Sequence, residues 1–162
     1  MHATILPKIE TQSREPQPAL RLLRNAPLYA SEASLASLLS SLRSSGGVLA
    51  GDRLVLLLRD FHPQPISWLA RAIVKRELVH ITWRSQVLVP MFQFKLEDMS
   101  VREGISDVLA TLVSIYDDWE LAHWFAEPNE WLHGRSPAEL IGLDARGVHD
   151  AARADRFVGG GH

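Results

Sequence analysis

Residues 117–141 read DDWELAHWFAEPNEWLHGRSPAELI, and the helix boundaries within this stretch decide the fold. Asp117 and Glu120 have the spacing of a capping box, in which two side chains satisfy the free amides of a first helical turn. A helix is therefore expected to begin at Asp117. Pro128 cannot continue a helix, so we expect this helix to end before it.

Two further helix starts follow within the same stretch. Asn129 can cap a single turn that holds Trp131 and Leu132, and Gly134 is a residue typical of the end of such a turn. Residues 136–139 place serine, proline and glutamate at the N-cap, first and third positions, which is the preferred order. The pattern predicts short helical segments joined by tight turns.

Helical signals continue on both sides of this stretch. Asp144 is a candidate cap for a last helix, whose apolar face would consist of Val148, Ala151, Ala152 and Phe157. On the N-terminal side, Ser100 and Glu103 have capping-box spacing before a helix that begins at residue 100. Its core stripe would be Ile105, Val108, Leu109, Leu112, Val113 and Tyr116.

Three helices are predicted in the N-terminal half. Ser31 is a candidate cap for the first, which has leucines at 35, 38, 39 and 42 and a glycine stop at 46–47. The second covers about residues 52–59, because Pro63 and Pro65 follow it. The third runs from about residue 67 to residue 76.

The period then changes from helical to alternating. Val79, Ile81 and Trp83 alternate with polar residues, and a second alternating run at residues 87–91 follows a polar triplet. This predicts a β-hairpin over about residues 78–92. Pro90 lacks an amide donor, so it should place the second strand at an edge or mark its exit.

These elements predict a mainly α fold with a small β-hairpin. We divide the chain into a mobile arm over residues 1–29, a helical region with the hairpin over residues 30–99, a C-terminal helical domain over residues 100–158 and a tail over residues 159–162. The arm is proline-rich, so it has few helix-compatible stretches. It could instead order on a partner through Leu20, Leu22 and Leu23.

Composition excludes several classes of function. The 162 residues contain no cysteine, which excludes disulfides, thiolate zinc sites and cysteine nucleophiles. A net charge of -2 gives no general attraction for nucleic acid. The first fifteen residues contain no continuous apolar run and no stretch is long enough to span a bilayer, so we expect a cytoplasmic protein without membrane attachment.

No recognised catalytic or cofactor motif accompanies this composition. His123, His133 and His149 lie on separate predicted elements without metal-ligand spacing, and no phosphate-binding glycine loop or nucleophile motif is present. The acidic residues near 117–120 are explained by helix capping. We therefore expect no catalytic residues, no metal and no cofactor, and rank an enzyme far below a binding protein.

The segment 119–141 resembles the toxin-binding domain of the Xre/MbcA/ParS antitoxin family. That family has a tryptophan-bearing helix, a Pro-Asn turn, a leucine, often a glycine, then Ser/Thr-Pro, a short helix and a final helix. The resemblance covers roughly residues 103–157, about a third of the chain. The matching positions are Trp124, Pro128, Asn129, Leu132, Gly134, Pro137, Leu140 and Ile141.

The resemblance implies a non-catalytic helical module that dimerises and occludes a toxin, typically a RES-domain protein that consumes NAD. The partner-binding candidates are Trp124, Asn129, Trp131, Arg153, Arg156 and Phe157. The clustered tryptophans could equally fill a small core. Residues 31–94 match poorly the DNA-binding helix-turn-helix that the family usually carries before this domain.

A second reading is a dimeric DNA-binding transcriptional regulator that uses the C-terminal domain only to dimerise. Arg71, Lys75 and Arg76 form a basic helix face that could contact DNA. A basic helix face is more often simply solvated, and the charge of the chain is nearly neutral. Binding to DNA is therefore an alternative to toxin binding and not the leading hypothesis.

Overall fold

The computed structural model describes residues 31–160, so the predicted arm over residues 1–29 lies outside the described residues. Within this range the fold is mainly helical with one small sheet, which confirms the predicted fold class. The elements in chain order are α1 (Glu32–Leu42), β1 (Val48–Ala50), α2 (Gly51–Leu58), α3 (Pro65–Val74), β2 (Ile81–Trp83), β3 (Gln86–Pro90), α4 (Ile105–Leu112), α5 (Asp118–Ala126), α6 (Pro137–Leu140) and α7 (Ala145–Gly159). Short 3₁₀ turns cover Arg43–Ser45, Met91–Gln93 and Glu130–Leu132.

Most of the predicted helix starts are confirmed. Asp117 accepts the amide of Glu120 at 2.8 Å, and the Glu120 side chain returns a bond to the Asp117 amide, which is a complete capping box. Ser136 and Glu139 form the same arrangement before α6. Ser31 caps α1, and Asp144 caps α7. In each case a side-chain oxygen satisfies an amide that has no partner inside the helix.

The predicted start at Ser100 is wrong. The amide and hydroxyl of Ser100 both donate to the carboxylate of Asp98, at 2.9 and 2.6 Å, so this serine closes a loop. An isolated bridge pairs Phe94 with Val101 and keeps the chain extended there. Helix α4 begins after Gly104, which adopts a left-handed φ of 88°. The helix ends at Leu112, before the predicted Val113 and Tyr116.

The sheet contains a strand that the sequence did not predict. The predicted hairpin forms from β2 and β3, but β1 also pairs with β3, and the strand order is β1-β3-β2. The second hairpin strand is therefore central, so of the two predicted roles of Pro90 the edge is wrong and the exit from the strand is confirmed. Pro90 is tolerated because it is the last residue of β3, opposite Val48.

Gln93 fixes the exit from the sheet. Its side chain is fully buried, its Nε2 donates to the carbonyls of Val79 and Pro90 at 2.8 Å, and its Oε1 accepts the amide of Val79 at 2.8 Å. Both N–H donors and the oxygen of the Gln93 side-chain amide therefore have partners, so its burial leaves no polar group unsatisfied.

Two hydrophobic clusters meet across this sheet. The larger one joins α4, α5, α6 and α7 with Leu38 and Leu42 of α1. The smaller one joins α2 and α3 with Val89, Met91 and Phe94. The C-terminal helices thus share their core with the first helix, so the packing crosses the predicted boundary between residues 99 and 100.

Candidate partner-binding surface

One carboxylate collects three of the predicted partner-binding residues. Asp155 of α7 accepts Trp124 Nε1 at 2.7 Å and Asn129 Nδ2 at 2.9 Å on Oδ2, and Trp131 Nε1 at 3.0 Å on Oδ1. The donors come from α5, the turn after it and the next 3₁₀ turn. Asp155 therefore fastens the last helix to the segment that precedes α6.

Local hydrogen bonds and ring packing fix the side chains that donate to Asp155. Asn129 is buried, and its Oδ1 caps the 3₁₀ turn by accepting the amide of Trp131 at 2.9 Å, while its Nδ2 points to Asp155. The indole of Trp124 packs edge-on against Phe125, with ring centroids 5.0 Å apart. Trp131 is tied at both its backbone and its indole nitrogen, yet 57% of it is exposed.

The other three predicted residues line a separate groove. Arg153, Arg156 and Phe157 surround a shallow cavity of about 580 Å³ together with Thr111 and His149. The Thr111 hydroxyl donates to the Asp107 carbonyl at 2.8 Å and lies 3.1 Å from His149 Nε2. Arg153 is 3.9 Å from Asp150, and both side chains are mostly exposed.

The two groups lie on different sides of α7. Each helical residue turns the chain by roughly 100°, so positions 153 and 157 point away from position 155 by about 160–200°. The prediction that Phe157 extends the apolar face is wrong, because this side chain is 84% exposed. That face consists of Val148, Ala151 and Ala152 and is continued by Asp155.

The residues proposed for DNA contact are divided as well. Arg71 is exposed on α3, and Lys75 is exposed directly after the helix. Arg76 has a left-handed φ of 53°, and its guanidinium is occupied by the carbonyls of Val113 and Tyr116, at 2.9 and 2.8 Å, and by Asp118 at 2.9 Å. Arg76 thus binds the connection between α4 and α5 at both of its ends and is committed within the chain.

Asp118 joins this arginine to a buried histidine. Its Oδ2 lies 3.4 Å from Nε2 of His80, whose Nδ1 is 3.3 Å from the Leu78 carbonyl. The hydrogen bond with His80, helped by the charges of His80 and Arg76, holds the pKa of the Asp118 carboxyl below its usual value. The cluster ties the α3–β2 connection to the start of α5.

Sequence reasoning missed Asp155, Thr111 and His149 as parts of these surfaces. Asp155 offered one signal, because it occupies the next position of the apolar stripe of α7, where a charged residue needs a partner. Its donors lie 24 to 31 residues away, so only the folded chain identifies them. Thr111 and His149 gave no comparable signal.

Among residues 31–160, no three histidine, aspartate or glutamate side chains come close enough to form a metal-ligand set. His123 is instead 3.1 Å from Glu127, one helical turn away. No helix in the same range combines the length and the apolar composition needed to cross a bilayer.

Comparison with known proteins adds no relative. The chain matches no protein-family model, and no curated protein or solved structure matches it.

Proposed function

We propose that this protein is an antitoxin-like, non-catalytic protein that binds a toxin and occludes it through α7 and the 3₁₀ turn beside it. The observation that carries the proposal is the attachment of Trp131 to Asp155, which holds a largely exposed indole in one place. Tryptophan is among the residues that most often dominate the binding energy of protein interfaces.

Pre-organisation explains why this tryptophan suits a binding role. A side chain that is already ordered loses little conformational entropy when a partner covers it. Trp131 is ordered by the bonds that its amide makes to Asn129 and its indole makes to Asp155. Its exposed face can therefore add apolar contact area at a low entropic cost.

The end of α7 supplies the second part of the surface. Phe157 and Val158 are 84% and 70% exposed, and Arg153 and Arg156 stand beside them. The end of α7 thus exposes apolar and cationic side chains on one side, and the ordered tryptophan lies on its other side. A helix with binding residues on both sides suits insertion into a cleft of a partner. Insertion of that kind would block the cleft sterically without any chemistry on this chain.

The identity of the partner rests on the family resemblance, which points to a RES-type toxin that consumes NAD. The resemblance also implies a homodimer, which sedimentation of the purified protein would test. The DNA-binding alternative has less support, because the guanidinium of Arg76 is already occupied. Only Arg71 and Lys75 of the proposed basic face remain available.

The test is inhibition of a RES-type toxin by the full-length protein, measured as NAD remaining after a fixed time. We expect stoichiometric inhibition by the wild type. Trp131→Ala and Phe157→Ala should each weaken inhibition at least tenfold, the size expected for interface anchors. Val74→Ala is the matched control, because Val74 is an apolar side chain on α3 with 82% exposure. It should inhibit like the wild type.

Two outcomes would contradict the proposal. Inhibition that is equally strong in all three variants would place the contact away from α7. Absence of inhibition, together with salt-dependent binding to DNA that Arg71→Gln and Lys75→Gln weaken, would favour the transcriptional regulator.

A further inference from the structure

A second groove, separate from the surfaces around α7, crosses the seam between the two hydrophobic clusters. It has a volume of about 700 Å³ and lies between residues 44–49 and 91–96 on one side and residues 135–143 on the other. Its apolar lining includes Leu49, Met91, Phe94, Leu96 and Leu143. Leu96 and Leu143 stand at its rim with 69% and 78% exposure.

A positioned guanidinium forms the polar part of this groove. Arg102 Nε donates to the carbonyl of Phe92 at 3.0 Å, which fixes the plane of the group. The guanidinium lies against Gly142, where an added Cβ would be 2.9 Å from Nη1 and 3.2 Å from Cζ. Because Gly142 has no side chain, there is room for the guanidinium of Arg102 at this position.

The charge of Arg102 has no counterion in the part of the chain that the structure describes, since no carboxylate there lies within 4.0 Å of its nitrogens. Arg135, also in the lining, is only loosely paired with Glu139 at 3.9 Å. Glu139 also lines the groove, so its apolar walls carry two guanidinium groups against one carboxylate, and the excess positive charge is that of Arg102. A guanidinium held in this way presents parallel donors that match the geometry of a carboxylate.

We propose that this groove binds an extended segment of a partner protein in which a carboxylate lies next to apolar side chains. The carboxylate would meet Arg102, and the apolar side chains would cover Leu96 and Leu143. A small amphiphile would be expected in a pocket that encloses most of its surface. This groove is open at its rim, which suits a chain lying across it. None of its residues belongs to the proposed toxin-binding surface.

The probe is an N-acetylated pentapeptide, Ser-Gly-Ala-Leu-Leu, with a free C-terminal carboxylate, compared with the same peptide as a C-terminal amide. Binding to the full-length protein is measured by calorimetry and by the methyl NMR shifts of Leu96 and Leu143. We expect the carboxylate form to bind about tenfold more tightly, the difference that one charge-assisted bond provides. Both leucine signals should shift during the titration.

Two variants test the guanidinium itself. Arg102→Gln removes the charge, and Gly142→Ala displaces it, because the new methyl group would meet only the flexible end of the arginine side chain. Both should abolish the preference for the carboxylate peptide. Arg59→Gln removes one exposed charge from a position after α2 and serves as the control, which should keep the preference.

The proposal fails if the two peptides bind equally, if neither shifts the leucine signals at millimolar concentration, or if Gly142→Ala keeps the full preference. Binding of octanoate without binding of the carboxylate peptide would also overturn it, in favour of a small amphiphilic ligand. These outcomes are independent of toxin inhibition, because Trp131 and Phe157 lie outside this groove.

Discussion

Asp118 and Asp155 both join distant segments of the chain, but they do so with different kinds of donor. Asp155 accepts three neutral N–H groups, from two indoles and one amide. Asp118 meets the guanidinium of Arg76 and the imidazole of His80. The first carboxylate organises the proposed binding surface, and the second connects the α3–β2 segment to α5.

The two carboxylates stabilise the fold by different means. The hydrogen bond with His80 and the charge of Arg76 favour the ionised form of Asp118, so its contribution depends on pH and is reduced by solvent at a half-exposed site. The donors around Asp155 contribute direction more than charge, because each indole or amide N–H must point at one oxygen lone pair. Removing either carboxylate should therefore have different consequences.

The largest effect is expected from removing Asp155. Asp155→Ala would leave Trp124 Nε1 and Asn129 Nδ2 without an acceptor in a partly buried place. Loss of hydrogen bonds to a charged group should lower the free energy of unfolding by about 3 kcal/mol. Urea denaturation of wild type and variant measures this difference.

Asp155→Asn is the control for this prediction. Its single side-chain oxygen can still accept from Trp124 and Asn129, but its amide group would face the indole N–H of Trp131. We expect a loss of stability roughly half that of the alanine variant. If the alanine variant lost less than about 1 kcal/mol, the three bonds would not hold the last helix in place.

Features that depend on residues close together in the sequence could be predicted. The starts of α5, α6 and α7 were predictable because the N-cap and its partner lie within three residues of each other. Ser100 has the same spacing as these boxes, but Asp98, two residues before it, takes its donors. Short-range patterns therefore fail where a nearer acceptor competes.

Longer-range contacts left almost no pattern in the sequence. Strand β1 has three residues, too few to show an alternation, and its pairing to β3 spans about forty residues. The resemblance identifies Trp124 and Asn129 as site residues, and the clustering of tryptophans adds Trp131, whereas their common acceptor appears only in the fold. The second group of predicted site residues proved to face the other side of α7.

An intermediate loss of stability is expected from replacing Arg76, the ion-pair partner of Asp118. Arg76→Ala removes two bonds to carbonyls of the α4–α5 connection and one to Asp118, which should cost about 2 kcal/mol of stability. Arg76→Gly loses the same bonds but relieves the left-handed backbone at φ 53°. It should be more stable than the alanine variant by about 1 kcal/mol, because relief of the left-handed strain exceeds the extra entropy of glycine in the unfolded chain.

Thermal or urea denaturation of the two variants separates backbone strain from side-chain bonding. If alanine and glycine were equally destabilising, the left-handed backbone would contribute little to the cost. If both variants matched the wild type, the guanidinium would not stabilise the α4–α5 connection, and Arg76 would again be available for DNA.

The smallest effect is the pH dependence at Asp118. Its pKa is lowered in the folded protein, so its contribution is fully present above the pKa of the unfolded chain, about 3.9, and is lost as the pH falls through the lower folded value. Because 44% of the side chain is exposed, we expect a contribution below about 1 kcal/mol. The free energies of unfolding of wild type and Asp118→Asn should therefore differ most near pH 6, begin to converge below about pH 4 and meet below the folded pKa of Asp118.

Convergence would show that Asp118 stabilises the fold through its charge, as the contacts with His80 and Arg76 require. A difference that stays constant from pH 6 to pH 3 would show instead that geometry matters and charge does not. Asp118 would then act by the same means as Asp155, and the contrast between the two carboxylates would be lost. Raising the salt concentration at pH 6 gives an independent check, since screening should reduce the difference only if the charge contributes.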